Sequence, residues 1–272
     1  MLKLKTKIFL DSASAEETKE AIKILGFLDG QTTNPSLFAK LQKKKFSEKQ
    51  LWKEYMLAVH EIRKVLPKGS VSAEVYSDSG TTTQQMVSQA QDLLKQDSTL
   101  HIKLPTSQNG IKALAELLKH DHNVNMTLGF DNHQAYAVAQ TARNSLSGQV
   151  FYSTFVGRLF DSGVNGIEYV SNVQNLFDEL NSPVSILACS FRTLDQFLAC
   201  LALEVDIVTV NLDILKQWKA HNFELPKYNS FSFKEKKPPF IPVIDLDEDN
   251  LHNTLLLNGL TKFAKDWNDL IV

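Results

Sequence analysis

Lys103 stands near the end of a short apolar run, His101-Ile102-Lys103-Leu104-Pro105. Side chains alternate across a strand, so Ile102 and Leu104 share one face and Lys103 takes the other. An ammonium on a buried face is costly unless it is paired or gives up its proton. A deprotonated amine attacks a ketone, and the product is a Schiff base. A solitary strand-end lysine ordinarily reaches out to solvent. Here the other strand-like runs also end in polar residues. Asp11 follows Ile8-Phe9-Leu10, Asn34 closes Asp29-Gly30-Gln31-Thr32-Thr33, and Glu74 lies in Val71-Ser72-Ala73-Glu74-Val75. In a further run, Asn123, Asn125 and Thr127 alternate with Val124, Met126 and Leu128, which puts the polar set inward. Each residue has an ordinary use alone: a helix cap, a turn residue or a satisfied core amide. Gathered at one mouth and unpaired, they would cost about 1–3 kcal/mol each. A catalytic mouth tolerates that; one built only for stability does not.

Later in the chain come cations and hydroxyls. Ser153-Thr154-Phe155-Val156-Gly157-Arg158 and Ser190-Phe191-Arg192 each follow an apolar run. Two guanidiniums and a hydroxyl suit a phosphate dianion, because arginine offers forked, permanently charged donors. The plainer alternative is a pair of surface salt bridges.

The elements that would position these groups alternate along the chain. Strands are expected near 8–11, 29–34, 71–75, 101–104, 123–128, 150–153, 184–188 and 206–210. Helical patterns fall at 47–65, 82–95, 110–119, 132–144 and 193–203, and Ser14-Ala15-Glu16-Glu17 reads as a capping box after the first strand. Leu256, Leu260, Phe263, Trp267 and Ile271 share a face of a final helix expected over about 247–271. The pattern predicts an α/β fold, a single (β/α)8 TIM barrel spanning 1–272 as one domain. An open doubly wound sheet is disfavoured, because no Gly-x-Gly-x-x-Gly follows the first strand and no P-loop occurs. The segment 234–246, polar and proline-bearing, reads as a surface loop.

Composition narrows the class. The chain has 272 residues, 43% hydrophobic and 22% charged, enough to bury a large core. A net charge of −2 gives no nucleic-acid signal. Two cysteines, Cys189 and Cys200, are too few for a disulfide framework or a zinc site. No run approaches the roughly 18 apolar residues of a membrane span, and the N-terminus lacks a signal-peptide core. A cytoplasmic protein is expected.

Taken in order, Phe9-Leu10-Asp11, Thr32-Thr33-Asn34-Pro35-Ser36, Ser72-Ala73-Glu74-Val75, Lys103-Leu104-Pro105, Asn125-Met126-Thr127-Leu128, Phe155-Val156-Gly157-Arg158 and Ser190-Phe191-Arg192 resemble the transaldolase family. The match runs from about Ile8 to Val210, and 259–267 resembles the family's last helix. The resemblance implies class I aldolase chemistry with no metal and no cofactor. A dihydroxyacetone unit would pass from a ketose phosphate (sedoheptulose 7-phosphate or fructose 6-phosphate) to an aldose phosphate, as in the non-oxidative pentose phosphate pathway. Lys103 would form the Schiff base. Asp11 would act on the hydroxyl whose proton leaves as the carbon–carbon bond breaks. Glu74 and Thr127 would hold a proton-shuttling water. Asn34 and Asn125 would bind the three-carbon unit, with Ser153 and Phe155 beside it, and Arg158, Ser190 and Arg192 would bind phosphate.

The alternatives are a barrel kept as a non-catalytic binding protein and a fructose-6-phosphate aldolase of the same family. The intact set Asp11, Glu74, Lys103 and Thr127 argues against the first. The aldolase subgroup is expected to carry tyrosine at position 155 and glutamine at 74, whereas this chain has Phe155 and Glu74. Three departures stand out. Thr154 replaces the proline of the family's Ser-Pro-Phe and is expected to loosen the turn presenting Phe155. Gly129-Phe130-Asp131 replaces apolar-Phe-Ser, and Asp131 is expected to cap the next helix. Val210-Asn211-Leu212 lacks the usual proline. Sugar phosphates are the expected partners, with no nucleic acid and no membrane; a homo-oligomer is compatible with the family.

Overall fold

The computed structural model describes residues 4–239, 241–247 and 251–272. Eight parallel strands close into a barrel in sequence order. They are β1 (Lys7–Asp11), β2 (Gly30–Thr32), β3 (Ser70–Glu74), β4 (His101–Pro105), β5 (Val124–Gly129), β6 (Val150–Phe155), β7 (Ser185–Cys189) and β8 (Ile207–Val210). The ring shuts where Lys7 to Leu10 of β1 pair with Ile207 to Val210 of β8. Around it run α1 (Ala15–Leu25), α2 (Pro35–Leu41), α3 (Glu48–Val65), α4 (Thr83–Gln96), α5 (Gln108–Leu118), α6 (Asn132–Thr141), α7 (Val156–Asp161), α8 (Gly166–Glu179), α9 (Leu194–Ala202), α10 (Leu212–Ala220) and α11 (Thr254–Asn268). This is a (β/α)8 barrel, the architecture expected from the pattern. Among the described residues no helix is long and apolar enough to cross a membrane.

Strand alternation divides the core in two. Ile8, Leu10, Ile102, Leu104, Val124 and Met126 are fully buried on the face toward the helices. Inside the barrel, Phe9 and Phe151 meet edge to face at 6.0 Å, and His101 stacks on Phe151 at 4.1 Å. These rings close the N-terminal end. Burial pushes His101 down to about 4, so this imidazole is a neutral packing element at physiological pH.

Several elements differ from the sequence expectation, each for a local reason. The second strand stops at Thr32, two residues before Asn34. Asn34 instead caps α2, its Oδ1 accepting from the Leu37 N–H at 2.9 Å, with Pro35 at the first helical position. The capping box of α1 is half formed. Ser14 accepts from the Glu17 N–H, but the Glu17 carboxylate turns to the Ser12 hydroxyl. The fifth strand begins at Val124 and so excludes Asn123. Its alternation fails at Leu128, where φ is 64° and the register with β6 shifts. Leu128 therefore meets α11 instead of the outer helices. The final helix starts at Thr254, where the Asn253 side chain accepts from the Leu255 and Leu256 N–H groups. Of its expected extent over 247–271, residues 248–250 lie outside the described residues.

The departures from the family pattern also find local roles. Thr154 lies not in a turn but inside β6, paired with Gly129 and Ala188. Asp131 caps α6 through the Gln134 N–H at 2.9 Å, and Asn211 caps α10 through the Ile214 N–H at 3.0 Å. Of the segment 234–246, residue 240 lies outside the described residues. Lys236 exchanges backbone hydrogen bonds with the turn before α8, and Phe233 packs on Phe160 at 5.1 Å.

Candidate active site

A cavity of about 680 Å³ opens at the C-terminal ends of the strands. Lys103, Asp11, Asn34, Ser153, Phe155, Arg158, Ser190 and Arg192 all line it. Glu74, Asn125 and Thr127 do not reach its surface and are buried behind it, at 2%, 0% and 0% exposure. The barrel register explains the grouping. Lys103 pairs across the sheet with Glu74 on one side and Asn125 on the other, so all three point inward at one level.

The Lys103 Nζ lies 3.0 Å from a Glu74 carboxylate oxygen, and the side chains are 5% and 1% exposed. Burial outweighs the attraction of Lys103 and holds the Glu74 carboxyl above its usual range. Asp11 is raised for the same reason, against the opposing pull of Lys103 and a 2.9 Å hydrogen bond from Thr32 Oγ1. Two carboxyls raised in this way beside an amine are suited to exchanging protons with it. Glu74 is further fixed by its backbone N–H, which donates to Tyr55 Oη at 2.8 Å. Thr127 Oγ1 is buried with no hydrogen-bond partner among the described residues.

Asn125 is held from both sides. Its Nδ2 donates to Ser72 Oγ at 3.1 Å, and its Oδ1 accepts from Ser153 Oγ at 2.7 Å. Ser153 is thus the member of this chain that faces the cavity. Asn34 spends its side-chain oxygen on the α2 cap, which leaves the amide nitrogen for the cavity.

The cationic wall comes from the exits of β6 and β7. Arg158 has neither an ion pair nor a side-chain hydrogen bond among the described residues. Its guanidinium lies over the rings of both Phe155 and Phe263, 5.2 Å from each centroid. Burial lowers its affinity for the proton, yet a guanidinium remains cationic. Arg192 is bound differently. Its Nη1 donates to the carbonyl and hydroxyl of Ser190 at 2.8 and 3.1 Å. Its Nη2 pairs with Asp161 at 2.8 Å in a half-exposed salt bridge. The salt-bridge alternative therefore holds in part for Arg192 and fails for Arg158. Ser190 has φ 67°, a left-handed conformation costing a non-glycine residue about 1–2 kcal/mol. Gly157 makes the junction possible, since a Cβ there would lie 2.0 Å from the Ser190 carbonyl oxygen.

Sequence reasoning missed the contribution of the last helix. Leu255, Asn258, Lys262 and Phe263 of α11 complete the cavity wall, together with Lys40 of α2. The apolar spacing of α11 marked Phe263 as a packing residue, and nothing local said that the packing would be against the mouth. Gly259, one turn earlier and inside the helical pattern, was the available signal of close approach.

Comparison with known proteins finds relatives along most of the chain. A family model described as transaldolase/fructose-6-phosphate aldolase matches residues 8–271. A probable transaldolase of Brucella anthropi is 34% identical over 215 residues, covering 79% of this chain and 89% of that protein. One of Dehalococcoides mccartyi is 32% identical over the same length, covering 79% and 91%. Among solved structures, an enolase protein from Sargasso Sea environmental sequence superposes with TM-score 0.51 at 12% identity, over 76% of this chain. This chain spans only 54% of that longer one, and the likeness is one of fold alone. With a match over nearly the whole barrel, the chain belongs to the transaldolase/fructose-6-phosphate aldolase family of enzymes.

Proposed function

We propose that this enzyme is a transaldolase acting on sugar phosphates through a Schiff base on Lys103. One observation carries the reading: a buried lysine 3.0 Å from a buried glutamate, in a cavity that also offers Arg158, a guanidinium with no carboxylate partner among the described residues. The amine of Lys103 adds to the C2 carbonyl of fructose 6-phosphate, and loss of water gives the iminium. Glu74, with its raised carboxyl, supplies and recovers the protons of that dehydration, and the Thr127 hydroxyl is free to hold the water between them. Asp11 then takes the C4 hydroxyl proton. The C3–C4 bond breaks, its electron pair passes to the iminium as an enamine, and glyceraldehyde 3-phosphate leaves. In transfer, the enamine carbon attacks an acceptor aldehyde, whose oxygen takes the proton back from Asp11. Hydrolysis of the new iminium returns the Lys103 amine and releases the new ketose phosphate.

The three-carbon unit is held by Asn34 and by the Ser153–Asn125 pair, and the phosphate by Arg158, Arg192 and Ser190. Phe155 brings no hydroxyl to the enamine, and Glu74 is a carboxylate, so protonation of the enamine by water is slow and the intermediate waits for an acceptor. We assign the enzyme to the cytoplasmic non-oxidative pentose phosphate pathway, working as one barrel domain. The assay is fructose 6-phosphate with and without erythrose 4-phosphate. Sedoheptulose 7-phosphate and glyceraldehyde 3-phosphate are expected only with the acceptor. Release of dihydroxyacetone without acceptor, at a rate equal to transfer, would make the enzyme a fructose-6-phosphate aldolase.

A further inference from the structure

Helix α11 crosses the mouth of the barrel and touches both reactive ends of the cavity. Phe263 presents its ring to the Arg158 guanidinium at 5.2 Å and to the Lys103 Nζ at 6.0 Å. One turn earlier, Gly259 lies directly against the same arginine: a Cβ built there would be 2.8 Å from Arg158 Nη1 and 2.6 Å from Leu128 Cδ2. The helix is anchored on both flanks. Ser36 hydrogen-bonds Asp266, and Trp267 packs against Phe38, Trp52 and Tyr55. At its C-terminal end the Val272 N–H donates to the Phe46 carbonyl at 2.9 Å. The Phe263 ring is therefore held in place over the mouth.

We propose that Phe263 determines specificity. Its ring sets Arg158 for the substrate phosphate and covers Lys103 against water, so that the enamine is kept for an aldehyde acceptor. This rests on the Schiff-base reading above. A guanidinium without a carboxylate partner has to be placed by other means, and two phenyl faces do so without neutralising it. The same ring adds an apolar wall beside the lysine. On protonation the enamine carbon takes a proton from water, and hydrolysis of the iminium then frees dihydroxyacetone and the amine. A ring that keeps water off that carbon suppresses this branch and leaves transfer.

The test compares Phe263→Leu, which keeps apolar bulk but loses the ring face, with the wild type. Affinity for inorganic phosphate, measured by calorimetry, is expected to fall about two- to thirtyfold, the worth of one cation–π face. KM for fructose 6-phosphate should rise by a similar factor, and by more than KM for unphosphorylated fructose. The ratio of free to transferred dihydroxyacetone should rise about tenfold. A folded Phe263→Leu protein with unchanged phosphate affinity and unchanged partition overturns the proposal. Equal losses on phosphorylated and unphosphorylated donors also overturn it, because they indicate a merely structural role. If Phe263→Leu fails to fold, Phe263→Met gives the decision, since it too keeps apolar bulk and loses the ring face. A selective loss of phosphate affinity supports the proposal, and none refutes it. Absence of a borohydride-trapped adduct in the wild type would instead overturn the Schiff-base reading, and phosphate titration would still decide the role of Phe263 at Arg158.

Discussion

Replacing Gly157 by alanine tests the proposed phosphate wall at its tightest point. The new Cβ would sit 2.0 Å from the Ser190 carbonyl oxygen and 3.1 Å from its carbonyl carbon, whereas ordinary contact begins at 3.4 Å. Both partners are backbone, so neither can swing aside. The exits of β6 and β7 must part by about 1.4 Å, the gap between 2.0 and 3.4 Å. Overpacking of this kind costs about 1–3 kcal/mol, which lowers Tm by about 2–12 °C in a domain of this size. The functional loss is expected to exceed the loss of stability. Arg158 and Arg192 sit on either side of the junction, and misplacing a binding group by 1 Å can cost about a hundredfold in rate. Thermal melting followed by steady-state kinetics should show KM for fructose 6-phosphate raised about ten- to a hundredfold. Activity on unphosphorylated fructose should fall far less. A variant with wild-type Tm and wild-type KM would mean that the junction yields freely or that the two arginines need not be held together.

Two further perturbations address the buried polar groups. Asp11 has a folded-state pKa above its unfolded value of 3.8, so its contribution to stability is complete below that value and is lost as pH rises through the folded one. Asp11→Asn does not titrate, so the Tm of the variant minus that of the wild type should grow from pH 4.5 to pH 8; a difference that shrinks over that range would show that Lys103, not burial, dominates at Asp11. Thr154 Oγ1 is buried without a partner among the described residues. Thr154→Val, nearly the same shape, should remove a penalty of about 1–3 kcal/mol and raise Tm by a few degrees, and a lowered Tm would show that the hydroxyl is satisfied after all.

The sequence disclosed what depends on local alternation. Lys103 lies inward on β4 because Ile102 and Leu104 lie outward, and the same rule put Glu74 and Asn125 beside it. What it concealed depends on distant parts of the chain. The second strand could not be bounded, because Thr33-Asn34-Pro35 reads equally as a strand end or as the start of α2. Leu128 broke the expected alternation because a bulge turned it toward α11, an element more than 120 residues away along the chain. Arg158 and Arg192 looked alike in sequence. Only the fold shows that Asp161 engages one of them and that the other lies over two phenyl rings. Phe263 was legible as part of an apolar face, but not as a wall of the cavity.

The Schiff base proposed on Lys103 is open to reductive trapping. The enzyme is incubated with fructose 6-phosphate, reduced with borohydride, digested and analysed by mass spectrometry. A single three-carbon adduct is expected on the peptide containing Lys103, and none in Lys103→Arg, whose guanidinium stays protonated and cannot attack. An adduct on any other lysine, or turnover without any adduct, would contradict the Schiff base on Lys103.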